Sequence, residues 1–102
     1  MARRLQLHEE LCTILGTRNV YFQPPESVKL KYDCIVYSIN NREDLRADDR
    51  HYRNLIRYEV TLMYRDPDSE LPEQLLNGFT YISHQRHFTN DNVHHDVYTL
   101  FY

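Results

Sequence analysis

The sequence predicts an α+β domain: a mainly antiparallel sheet of four to five strands, with an N-terminal helix and a short second helix packed on one face. Three observations lead there. In residues 55–65, Ile56, Tyr58, Val60, Leu62 and Tyr64 fall on one side of a pleat, and Arg57, Glu59, Thr61 and Arg65 on the other, with Leu55 and Met63 as apolar intruders. Side chains alternate faces along a strand, so this is the pattern of a half-buried antiparallel strand. Residues 3–16 instead repeat Leu7, Leu11, Ile14 and Leu15 at helical spacing. Residues 79–89 and 93–102 flank the turn cluster Asn90-Asp91-Asn92, which reads as a hairpin.

The first helix has a stripe broadened by Leu5, His8 and Cys12, while Glu9 and Glu10 fall on its wet side and Gly16 is a natural left-handed stop. Val20-Tyr21-Phe22 is a short strand ended by Gln23-Pro24-Pro25-Glu26, because proline lacks an amide hydrogen and biases the preceding residue toward extended geometry. Residues 32–39 are nearly continuously apolar, which predicts a central strand covered on both faces. Asp66-Pro67-Asp68-Ser69 closes the long strand with turn chemistry. Ser69 can cap a helix over residues 70–77, with Pro72 in its first turn, Glu70 and Glu73 at the positive end of its dipole, and Asn77-Gly78 as its stop. In the last strand Val93, Val97, Thr99 and Phe101 share one face; His94, Asp96, Tyr98, Leu100 and Tyr102 share the other.

A chain of 102 residues is expected to be a single domain, residues 1–102. The net charge of −3, with basic residues scattered apart from Arg3-Arg4, argues against specific nucleic-acid binding, which needs clustered cations. No apolar run reaches the ~20 residues that span a membrane. Cys12 and Cys34 read as small core residues, and without a signal peptide no disulfide is expected. The nine tyrosines suit half-buried sheets and protein interfaces.

No catalytic motif is present. Ser27, Ser38, Ser69 and Ser83 lack the context of a nucleophile elbow, and the carboxylates cluster in turns and loops. Two glycines in the whole chain leave no phosphate-cradling loop. The expectation is therefore a non-enzyme without cofactor. Histidines offer the sharpest chemical alternative. With Phe88 paired to Val93, His87 faces His94, and Asp96 or His84 could add a third ligand for Zn²⁺. Residues 94 and 95 point to opposite faces, however, so the four hairpin histidines cannot meet at one ion. The reading adopted is exposed or interface histidines that could make assembly sensitive to pH, with a small metal-binding module as the alternative. Residues 40–53 are mostly charged or amide side chains. A solvated loop is the plain reading, yet a loop this long in a small domain is uncommon without a function.

The order of these elements resembles that of the small tail-terminator, or tail-completion, proteins of long-tailed bacteriophages. The resemblance rests on Asn19-Val20-Tyr21-Phe22-Gln23-Pro24-Pro25-Glu26, Tyr32-Asp33-Cys34-Ile35-Val36-Tyr37 and Arg57-Tyr58-Glu59-Val60-Thr61-Leu62. It continues through Asp66-Pro67-Asp68-Ser69, His87-Phe88-Thr89-Asn90-Asp91-Asn92 and Val97-Tyr98-Thr99-Leu100-Phe101-Tyr102. It implies a structural virion protein, present in the host cytoplasm during assembly. Copies would form a homo-oligomeric ring, a hexamer in that family, which caps the tail tube protein and joins it to the head connector or stopper protein. DNA would pass through the lumen without specific binding. A head–tail connector adaptor or stopper of the neck is the alternative within the same particle. Function in such a family is carried by surfaces. Contacts are expected from Arg42, Arg46, Asp48, Asp49, Arg50 and Tyr52 in the long loop, and from His87, Asn90 and His94 near the hairpin tip.

Overall fold

In the computed structural model, which describes residues 2–40 and 55–102, the first amphipathic stretch is helix α1, Ala2–Leu15. Leu7, Leu11, Cys12 and Leu15 are buried, so the helix presents its stripe to a sheet. Leu5 departs from the expected stripe and is 56% exposed. It lies in the first turn, beside Phe22 and Ile39 where two strands end, and little sheet remains there to cover it. Gly16 ends α1 at φ +85°, donating its N–H to the Cys12 carbonyl at 2.8 Å. That left-handed conformation strains any residue with a Cβ. Gly16→Ala is therefore expected to cost about 1 kcal/mol although its Cβ would meet open space, which a thermal melt would read.

Strand β1, Val20–Phe22, runs parallel to β2, Cys34–Ile39, with Val20 opposite Ile35. Residues 23–33 provide the crossover. Gln23 is not extended, as a residue before proline was expected to be, but sits at φ 44°. Its N–H donates to the Tyr37 carbonyl at 2.9 Å, and its Oε1 accepts the Ile39 N–H at 3.1 Å. Two hydrogen bonds to β2 thus hold a conformation that the local preference disfavours. β2 pairs antiparallel with β3, Arg57–Tyr64, and β3 with the last strand β5, Val93–Phe101. Between them in sequence come helix α2, Leu71–Asn77, and β4, Ile82–Asn90. The sheet order is β1-β2-β3-β5-β4, with all pairs antiparallel except β1–β2.

β3 lies at the centre, and its alternation holds residue by residue: Tyr58, Val60, Leu62 and Tyr64 are buried, and the residues between them are half-buried. Both helices pack on that face, where Leu7, Leu11, Ile35, Tyr37, Leu75, Tyr98 and Leu100 complete the core. β2 is one strand in from the edge and is covered by a helix on one face only. Its continuous apolar run reflects Cys34, fully buried on the second face beside Met63 with the sulfurs 3.9 Å apart, rather than a second covering layer. Burial pushes the Cys34 thiol up to about 11. α2 starts one residue later than predicted. Glu70 occupies the cap position, and Ser69 Oγ accepts the Leu71 N–H at 3.2 Å. Gly78 ends it in right-handed geometry, φ −85°, where a Cβ would come within 2.6 Å of Ile14 Cδ1, so that side-chain end would have to move to admit one. Residues 79–81, expected in the hairpin, precede β4. No helix among the described residues is long and apolar enough to cross a membrane.

Candidate functional site

The hairpin carries the polar cluster closest to the predicted contact residues. Its turn is Asp91-Asn92, two residues at φ 54° and 64°, and Asn90 belongs to β4 opposite Val93. Positive φ at both central positions is what the right-handed twist of a two-residue hairpin demands, and Asp and Asn tolerate it. The expected pairing of Phe88 with Val93 is therefore displaced. His87 lies opposite Asp96, Phe88 opposite His95, and Thr89 opposite His94. A bulge between His84 and Arg86 accommodates the extra residue Gln85. Residues 84 and 87 would otherwise point to opposite faces; the bulge puts both on the face of Asp96.

Asp96 is the centre of the cluster and is only 5% exposed. Its Oδ2 accepts the Tyr64 hydroxyl at 2.6 Å, and its Oδ1 meets His84 Nε2 at 2.9 Å and His87 Nδ1 at 2.8 Å. An ionised carboxylate only accepts, so both ring nitrogens must carry protons toward it. Burial pushes the Asp96 carboxyl upward, but the hydrogen bonds from Tyr64, His84 and His87 outweigh it, and the group lies below its ordinary value. Burial and then the bond to this carboxylate push the Tyr64 hydroxyl well above its ordinary value. His94 stacks on Tyr64 at 5.2 Å and on His87 at 5.6 Å between ring centroids, and its Nδ1 lies 3.2 Å from Thr89 Oγ1. His95 is on the opposite face, stacked on Phe88 at 4.5 Å.

This arrangement ties β3, β4 and β5 together through one buried anion. It is a hydrogen-bonded set: both imidazoles meet the same oxygen, and Tyr64 occupies the other. Among the described residues no group of three or more His, Cys, Asp or Glu side chains is placed to hold a metal ion. Of the predicted contact residues, His87 is drawn into the clamp, His94 is half-buried against it, and Asn90 is exposed at the tip. Arg42, Arg46, Asp48, Asp49, Arg50 and Tyr52 lie outside the described residues. The sequence reading missed Tyr64 as a partner of Asp96. The available signal was a carboxylate in the inward-facing set with Tyr98 and Leu100, where a charge needs partners.

Exposed apolar side chains gather in two other places. On the sheet face away from the helices, Val36 and Met63 are half-buried and Phe88 is 41% exposed. At the other end of β3, Leu5, Ile39 and Ile56 are 56%, 38% and 40% exposed around a groove of about 310 Å³. Comparison of the chain with protein-family models, curated proteins and solved structures found no match.

Proposed function

We propose that this chain is a structural protein of a bacteriophage tail, assembling into a closed ring that caps the tail tube and joins it to the head connector. The observation that carries this reading is the distribution of unshared surface on a two-layer domain. Both helices cover one face of the sheet, while the other face and the end beside the first turn of α1 leave large apolar side chains in contact with water. Such patches, rimmed by polar residues, are the mark of protein–protein contact. The resemblance of the element order to that of tail-terminator proteins supports the particular assembly. In a ring, one heterologous contact between identical subunits repeats until the rotation closes. The two rims then differ, so one can match the tube and the other a different partner.

Sedimentation velocity and negative-stain imaging of the purified chain test the reading. The expected result is a discrete closed oligomer with a central hole, which binds purified tail tubes. A chain that stays monomeric at high concentration and is missing from virions overturns it. A ring that copurifies with the head connector and not with tubes replaces the terminator reading by that of a neck stopper.

A further inference from the structure

We infer that neighbouring copies contact each other, the exposed side of α2 from one copy seating in the groove beside the first turn of α1 in the next; this rests on the ring reading above and names its surface. The groove is lined by Leu5 from α1, Phe22 from β1, Ile39 from β2 and Ile56 before β3, with Arg3 and Arg4 on its rim. The two guanidiniums lie over aromatic rings, Arg3 over Tyr102 at 4.6 Å and Arg4 over Phe22 at 4.3 Å. Arg4 also donates to the Tyr37 hydroxyl at 3.2 Å. Among the described residues neither is paired with a carboxylate. The groove thus combines exposed aliphatic surface with two positive charges that have no counterion within the described structure.

The complementary surface lies on the exposed side of α2. α2 packs against α1 and over the β5–β4 side, where the Tyr98 hydroxyl donates to the Pro72 carbonyl at 3.3 Å. The groove opens at the end of the sheet where β1 and β2 finish and β3 begins, with Tyr58 also in its lining, and it shares no residue with α2. Three strand spacings, about 14 Å, separate β2 from β4. On α2, Glu73 and Leu76 are neighbours at i and i+3; Glu73 is exposed and Leu76 is 40% exposed. Asp66, Asp68 and Glu70, in the turn leading into α2, are also exposed. None of these carboxylates has a cationic partner among the described residues.

α2 therefore offers a leucine edged by acids, and the end of the sheet offers an aliphatic groove edged by arginines. The two do not overlap, so each copy can use both at once. That is the requirement for a heterologous contact that propagates from subunit to subunit. Apolar burial supplies attraction, and the opposed charges fix orientation and speed encounter.

Charge reversal with rescue tests this, read by sedimentation velocity with circular dichroism to confirm folding. Arg3→Glu alone and Glu73→Arg alone are each expected to weaken self-association at least tenfold, and the double variant Arg3→Glu with Glu73→Arg to restore most of it. Leu5→Asp and Leu76→Asp, both at exposed positions, are expected to weaken assembly and to leave the monomer folded. If the parent chain forms rings and all of these variants form them equally well, this contact is wrong and the ring reading survives. If the parent chain does not associate, both fall together. A double variant that is no better than the singles overturns the pairing of these surfaces.

Discussion

Tyr37→Ala is expected to destabilise the chain by about 4 kcal/mol, the largest effect of any single substitution considered, because it removes a fully buried aromatic from the junction of α1 with the sheet. The ring packs against Phe22 at 5.0 Å and Tyr58 at 5.9 Å between centroids, so truncation leaves a cavity that three elements border. The hydroxyl is a separate contribution. It accepts from Arg4 Nη1 at 3.2 Å and lies 2.8 Å from His8 Nδ1. Burial first, and then the neighbouring Arg4 charge, push the His8 imidazole downward, which favours a neutral ring able to accept the Tyr37 proton. Tyr37→Phe keeps the packing and loses only these bonds, for an expected cost of about 1 kcal/mol. Chemical denaturation of both variants separates the two contributions. Equal losses for Phe and Ala would mean that the packing around the ring contributes little.

Asp96→Ala is expected to cost about 3 kcal/mol, since it strands the Tyr64 hydroxyl inside the protein and releases two imidazoles at the same time. Asp96→Asn keeps one acceptor oxygen and should lose about half as much. The pH dependence has a definite sign. The folded carboxyl lies below the ordinary value of 3.8, so near that value the unfolded chain binds more protons than the folded one. The stability conferred by ionised Asp96 is therefore present above pH 3.8 and is lost as pH falls through the lower folded value. Thermal melts over roughly pH 2 to 6 should show the parent chain losing stability more steeply than Asp96→Asn at the acid end. Parallel slopes would show that Asp96 is not held in its ionised form.

The parts of the fold that could be read in advance are those where one periodicity dominates. β3 and the buried stripe of α1 follow directly from alternating or helical spacing of apolar side chains. Leu5 shows the limit: the pattern tells which side of the helix a residue is on, and not whether strand remains beneath it. Gly78 was expected to stop α2 and does so, in right-handed geometry at φ −85° with its N–H on the Leu75 carbonyl. The hairpin was legible as a hairpin but not in register. Asn90, Asp91 and Asn92 all suit a turn, and only the backbone decides which two of them turn the chain. The candidate site suffered most from this, because a bulge cannot be seen in a pattern of alternation, and the convergence of His84 and His87 on Asp96 depends on it. The groove was also out of reach, since Leu5, Phe22, Ile39 and Ile56 come from four separate segments.

A strand has a phase, and Gln85 resets it. Upstream of that residue, Ile82 and His84 face the helices opposite Leu100 and Tyr98; downstream, His87 and Thr89 do so opposite Asp96 and His94. Removing Gln85 would make His84–Tyr98 and Arg86–Val97 consecutive pairs, so the ladder would become regular and both halves of β4 would keep their faces. Position 85 is thus open in length where position 96 is fixed in chemistry: Gln85 is exposed and stands outside the ladder.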